Sequence, residues 1–267
     1  MTKSAAEDTD NGEARLTPLG RGIRILQAFR TDQVDLGSQE LIRRSGLPKP
    51  TAFRTIAVLR ELGLLQYSSR RNKYMLAPLL LTLCAPLLAS MTIRSLARPM
   101  MQEFADYAQG QVTLAVGTPA HDLIYVEILQ GRGNTVYRPE VGTLASLSRT
   151  SAGRAYMALL QPAEREDLLR GILERGPDKA EWLPAKMQQT LDDLAQRGYC
   201  RNLGELDRVT IGVSVPVRTL LDEQRYVFSC MVPAFRLAES PQVLEDLGMR
   251  LATLVRSVEG ALGNARA

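Results

Sequence analysis

The chain has 267 residues, 45% of them hydrophobic and 23% charged, with 33 Lys and Arg against 29 Asp and Glu. That balance excludes a disordered chain, and the length favours two domains over one. Three cysteines (Cys84, Cys200, Cys230) in no CxxC spacing and a single histidine, His121, exclude a disulfide framework and a zinc finger. A serine triad or a histidine-rich metal site would have to run through His121, and no GxSxG accompanies it. Catalytic residues, metal ligands and cofactors are therefore expected to be none, and the compartment to be reducing.

Met1 to Glu13 is polar and acidic and lacks the apolar core of a secretion signal, so residues 1–15 read as a disordered tail and the protein as cytoplasmic. The charge beyond it is uneven. Residues 15–90 carry 12 basic and 4 acidic side chains, whereas 91–267 carry 20 and 21. Polyanion binding is assigned to the first of these parts.

Thr17 is placed to cap a helix that begins at Pro18, with Leu19, Ile23, Leu26 and Phe29 as its apolar stripe. After a polar turn and a short extended piece at Asp32 to Leu36, Ser38 is expected to cap a second helix that turns Leu41 and Ile42 inward and stops at Gly46. A third helix runs to Leu62 with Ala52, Ile56 and Leu59 on its buried side. Two short helices joined across Ser45-Gly46-Leu47 make a helix-turn-helix, and in such motifs the amino end of the second enters the major groove. Leu64 to Tyr67 and Lys73 to Leu76 then form a hairpin around a loop with Arg70 and Arg71, which is a wing. Between Arg43 and Lys73 eight basic residues meet one acid, Glu61. The expected DNA contacts are Lys49, Thr51, Ala52, Arg54 and Thr55 on the helix and Arg70, Arg71 and Lys73 on the wing, the cations suiting phosphate.

Tyr74 to Ile93 is 20 residues without a formal charge, long enough to cross a bilayer. Pro78 and Pro86, with Thr82, Ser90 and Thr92, favour instead a helix buried against a partner chain. Beyond it, Thr92 to Tyr107 reads as an amphipathic helix with Leu96, Met100, Phe104 and Tyr107 on one side. Strands are expected at Val112 to Val116 and Leu123 to Gln130, around a turn that leaves His121 facing solvent. Helices at Ala152 to Leu160, Ala163 to Glu174 and Pro184 to Arg197 alternate with strands at Val209 to Val217 and Arg225 to Val232, before a last helix from Pro241 to Leu262. Helices on a mainly antiparallel sheet make an α+β sensor-type domain.

The stretches GRGIRILQAF at 20–29, LIRRSGLPKPTAFRTIAVLRELGLL at 41–65, YMLAPLLLTL after the wing, RTSAGRAYMALL at 149–160 and RGYCRNLGELDRVTIGVSVPV at 197–217 resemble, in this order, the IclR family of bacterial transcription regulators. The resemblance implies an α+β chain: a winged helix-turn-helix at 16–77, a linker helix at 78–91 and a GAF-like effector-binding domain at 92–267. It further implies dimers through the amino-terminal part, often tetramers through the effector domains, and ligand-controlled binding to double-stranded operator DNA, with no membrane partner. The family's effector contacts map to Ser151, Ala152, Asn202, Gly212, Ser229 and Met231, with Arg149 adding charge if it points inward. Such donors beside a helix start suit a small organic acid or aromatic metabolite. The chain departs from the family in lacking an acidic residue common near Asn202. The alternative is a small-molecule enzyme with a basic anchor; it requires a paired acid and base, and none stands at a suggestive spacing.

Overall fold

The computed structural model describes residues 17–132, 139–175, 181–221 and 223–266. The expected tail at 1–15 lies outside them. The chain divides after Ser90 into two compact units.

In the first unit, helix α1 (Pro18–Leu26) is followed by β1 (Asp35–Leu36), α2 (Ser38–Ser45), α3 (Lys49–Glu61), β2 (Leu65–Ser68), β3 (Lys73–Leu76) and α4 (Leu80–Ser90). Thr17 caps α1 by accepting from the Gly20 amide at 3.1 Å. Ser38 does not cap α2; Gly37 holds that position, and no side chain replaces it. Gly46 and Gly63 close α2 and α3 with φ of 65° and 70°, a region where a Cβ is strained. The three strands pair antiparallel in the order β1-β3-β2. Ile25, Leu36, Leu41, Ala52, Ile56 and Leu59 meet in the core, each large aliphatic contributing about 1.5–3 kcal/mol by leaving water.

The stripe expected on α1 is rotated. Ile25 and Gly22 face the core, while Leu19 and Ile23 are 77% and 44% exposed. Apolar exposure continues in α4, which contains Pro86 and buries none of its residues: Leu81 and Leu83 are 71% and 66% exposed. Among the described residues no single helix is long and apolar enough to cross a membrane.

The second unit comprises α5 (Thr92–Ala108), β4 (Gln111–Gly117), β5 (Leu123–Gln130), β6 (Leu144–Ala145), α6 (Ser151–Ala158), α7 (Pro162–Arg175), α8 (Leu183–Arg197), β7 (Cys200–Asn202), β8 (Thr210–Pro216), β9 (Tyr226–Pro233), α9 (Phe235–Glu239) and α10 (Val243–Arg266). The sheet is antiparallel throughout, in the order β6-β5-β4-β9-β8-β7. Helices α5 and α10 pack on one face; Glu127 on that face is held by Arg94 at 2.8 Å and Arg98 at 2.7 Å from α5. Helix α6, backed by α8, packs on the other. The inward stripe of α5 is Ile93, Ala97, Met101, Phe104 and Ala108 rather than the expected set, because Phe104 alone of that set is buried.

Three local features bear on the site, and one of them, His121, departs from expectation. Asn202 lies in a short strand, where it pairs with Gly212. His121 is half-buried and its Nδ1 lies 3.1 Å from the Tyr156 hydroxyl, reached through a left-handed turn at φ 60°. Cys200 and Cys230 lie on β7 and β9, on either side of β8, at positions paired with Ser214 and Val213, so they point to opposite faces. Burial pushes both thiols up to about 12, which makes them unreactive.

Gly153 fixes how α6 enters the fold: a Cβ there would lie 2.4 Å from both the Leu147 Cα and the Ser146 carbonyl oxygen. Backbone cannot yield as a side-chain tip does. Gly153→Ala is expected to cost about 2 kcal/mol or more in urea unfolding. Gly260→Ala, in α10 with open space around it, should stabilise by about 0.5–1 kcal/mol.

Candidate DNA interface and effector site

Cations in the first unit fall into two groups. Glu40 accepts from Arg43 Nε at 3.0 Å and Arg44 Nε at 2.6 Å, and Arg44 also donates to the Ala28 carbonyl at 2.9 Å and to Gln33. Arg44 thus ties α2 to the segment after α1, while Arg43 pairs within α2. Asp35 accepts from Lys73 Nζ at 2.6 Å and is 3.4 Å from Arg71, so one carboxylate on β1 steadies the base of the wing. Arg60 lies over the Tyr67 ring at 5.4 Å, and Tyr67 donates to Asn72 at 2.6 Å. Lys49, Arg54 and Arg70 are exposed and have no ion pair among the described residues.

Lys49 opens α3 and Arg54 lies one and a half turns on, so both project from its exposed amino end. Thr51 and Thr55 are half-buried, and the Thr55 hydroxyl donates to the Thr51 carbonyl at 2.8 Å. Ala52 is corrected: it is wholly buried against the core of the first unit, because the face that packs on α1 takes every third or fourth residue, and its methyl offers nothing outward.

Hydrogen bonds from Arg43 and Arg44 hold the Glu40 carboxyl at about 2, below its ordinary 4.5. Its folded value is depressed, so its contribution is complete above pH 4.5 and disappears as pH falls towards 2. The Glu40 carboxyl resonance should titrate with a midpoint near 2, and Arg44→Ala should move that midpoint upward.

In the second unit the effector candidates gather on the sheet face under α6. Thr150, not Ser151, caps α6, accepting from the Gly153 amide at 2.9 Å. This frees the Ser151 hydroxyl, 2.7 Å from that of Ser214, which donates to Ser229 at 2.9 Å. Three hydroxyl protons serve two bonds in this chain, leaving one donor for another oxygen. Gly212 and Met231 are paired across β8 and β9, and Ala152 is buried beside Ser151. Both ends of the Asn202 amide are engaged: it donates to the Arg149 carbonyl at 2.6 Å and accepts from the Gly204 amide at 3.0 Å. It shapes the loop.

Arg149 is corrected. Its side chain is exposed, and the guanidinium that enters the protein is that of Arg154, which is 0% exposed. Arg154 donates to the Ser148 carbonyl at 2.8 Å and the Arg201 carbonyl at 2.9 Å, with Glu205 3.7 Å away. Burial lowers its pKa, and Glu205 partly offsets this. Burial also works against ionisation of Glu205, but Lys186 at 2.6 Å, Arg154 and the Leu203 amide outweigh it and keep the carboxyl below its usual value. The acid missing beside Asn202 is supplied, for this network, three residues on.

Ser214, Thr113 and Gln111 belong to the same face and escaped the sequence reading. Their signal was available: β4 and β8 carry polar or small residues at every second position (Gln111, Thr113, Ala115; Thr210, Gly212, Ser214) although both strands are buried on both sides.

The IclR helix-turn-helix domain matches residues 18–69, and the Bacterial transcriptional regulator IclR C-terminal domain matches 85–258. The chain is 25% identical over 264 residues to the HTH-type transcriptional regulator TsaQ1/TsaQ2 of Comamonas testosteroni, covering 96% of this chain and 92% of that protein. It is similar to the crystal structure of an IclR family transcriptional regulator from Brucella abortus, with a TM-score of 0.79 and 32% identity over 91% of this chain and 92% of that one. An IclR homolog from Microbacterium hydrocarbonoxydans, solved in complex with 4-hydroxybenzoate, shares the fold at a TM-score of 0.69 and 24% identity, over 90% and 100% of the two chains. The two domains match in order along the chain, and this chain belongs to the IclR family of bacterial transcriptional regulators, which are not enzymes.

Proposed function

We propose that the chain is an operator-binding regulator whose reading helix is α3 and whose wing grips phosphate, under control of a small organic acid held beneath α6. The observation that carries it is the sorting of cations: Arg43 and Arg44 are tied to Glu40, whereas Lys49, Arg54 and Arg70 point to solvent at the helix start and wing tip. Arg54, with Thr51 and Thr55 beside it, is assigned to base edges; Lys49, Arg70, Arg71 and Lys73 are assigned to phosphates. Ser151 and Ser229, linked through Ser214, receive the effector's carboxylate near the amino end of α6. The complex of the Microbacterium hydrocarbonoxydans homolog with 4-hydroxybenzoate supports an acid as the effector class.

Duplexes selected from a randomised pool test the first half. With about 6–10 phosphate contacts, affinity should fall by roughly 10³–10⁵ between 50 and 200 mM salt. Arg70→Ala should weaken all duplexes alike and flatten that slope, while Arg54→Ala should change which duplexes are selected. An unchanged selection with Arg54→Ala rejects α3 as the reader. For the effector, a thermal-shift screen of organic acids is the direct test, since a ligand that binds only the native state raises the melting temperature.

The active unit is a homodimer, built on the exposed apolar surface of α4. An 11-residue helix without a single buried side chain leaves leucines in water that would each contribute about 1.5–3 kcal/mol if covered, and a second copy is the partner that the IclR relationship supports. Two-fold symmetry then places half-sites about 34 Å apart on the operator. In light scattering, Leu81→Asp with Leu83→Asp should convert the dimer to a monomer without lowering the stability of the first unit, because neither side chain belongs to its core. A variant that remains dimeric excludes α4 as the interface.

A further inference from the structure

The outward face of α3 is apolar apart from one side chain. Ala52, Ile56 and Leu59 pack inward, and with about 100° between successive residues Arg54 points almost directly away from them. The other exposed residues from 50 to 58 are Pro50, Phe53, Ala57 and Val58, none of which carries a side-chain donor or acceptor. Phe53 is 41% and Val58 48% exposed, and neither belongs to the core of the first unit. Thr51 and Thr55 are half-buried, and the Thr55 proton is committed to the Thr51 carbonyl. No acidic residue occurs from 49 to 58, so the apolar surface is framed by Lys49 and Arg54 alone.

An aromatic ring left in water between two cations fits a partner that is apolar at the point of contact and anionic around it. The major groove has that character, because the C5-methyl of thymine is the apolar group displayed among its base edges and phosphates line both sides. A protein docked on Phe53 would instead have to desolvate Lys49 and Arg54, which is costly without anions to meet them.

We infer that Phe53 is a specificity-determining residue that packs on the methyl group of a thymine beside the base pair read by Arg54. Resting on the reading of α3 above, this adds what that helix selects: a guanine for the Arg54 guanidinium and a neighbouring thymine for the Phe53 ring. Successive residues are offset by about 1.5 Å along a helix, against about 3.4 Å between base pairs, so the two contacts fall on adjacent steps. The Cα–Cβ bond of Phe53 tilts toward the amino end of α3, which carries the ring into the groove with that end of the helix.

The experiment uses the duplexes that the full chain selects from a randomised pool. Each half-site should hold a thymine beside a guanine, and Phe53→Ala should lose the preference at the thymine while keeping it at the guanine. Deoxyuridine in place of that thymine removes only the methyl group. It should weaken binding by the unsubstituted chain about 3- to 5-fold, the worth of one buried methyl, and leave binding by Phe53→Ala unchanged. Because Phe53 lies outside the core, Phe53→Ala should keep the parent's melting temperature and oligomeric state. If deoxyuridine at every selected thymine in turn leaves affinity intact, this inference is overturned, and a selection still altered by Arg54→Ala shows that α3 remains the reader. An equal deoxyuridine penalty in Phe53→Ala gives the methyl contact to another residue and overturns the role of Phe53. A Phe53→Ala chain that melts lower or changes oligomeric state makes Phe53 a structural or subunit contact, and again the inference falls. Failure of the unsubstituted chain to select any duplex overturns the proposed function and this inference together.

Discussion

A polar atom shut away from water must find a partner or remain costly, and this constraint organises both units of the protein. In the first, carboxylates are scarce: Asp35 and Glu40 are committed to Lys73 with Arg71 and to Arg43 with Arg44. Each pair of cations is thereby fixed to the scaffold. The remaining basic side chains at the helix start and wing tip have no internal anion, so they remain available to an external one. The charge excess of the first unit thus resolves into cations tied to Glu40 within and beside α2, cations positioned by Asp35 at the base of the wing, and cations with no ion pair among the described residues.

In the second unit the same constraint acts on a sheet covered on both faces. One face takes the usual course: Val112, Leu114, Phe228 and Val232 pack under α5 and α10, and its one acid, Glu127, is neutralised by two arginines. The other face carries hydroxyls and amides. Some are satisfied by each other, as in the Ser151-Ser214-Ser229 chain, and some by backbone, as with Asn202. The buried Arg154 ties α6 to the β7 edge through the Ser148 and Arg201 carbonyls at 2.8 and 2.9 Å, and Gly153 sets the same helix against the preceding backbone. Such a connection is the physical basis on which ligand occupancy biases a regulator between two arrangements.

Apolar surface completes the account. The first unit keeps a small core of interlocking helices and a hairpin, yet it leaves Leu19, Ile23 and the leucines of α4 in water. This is the surface that the proposed dimer covers.

Much of this was legible without coordinates. Gly46 and Gly63, the prolines at the starts of α1 and α3, the alternation of Val112, Leu114 and Val116 in β4 and the separation of charge at residue 90 made legible the helix-turn-helix, the wing, the sheet strands and the division between a basic and a neutral part, because turn geometry, strand period and net charge are local properties. Helix phase was legible only approximately: in α1 and α5 several apolar residues compete for the inward direction, and packing partners distant in sequence choose among them. Which cations are tied down, that Arg154 rather than Arg149 turns inward, and that Ser214, Thr113 and Gln111 join the serines on one face were decided by tertiary structure alone. Each depends on strands and helices separated by tens of residues coming within hydrogen-bonding distance, and no local pattern encodes which of two neighbouring side chains will find a partner there.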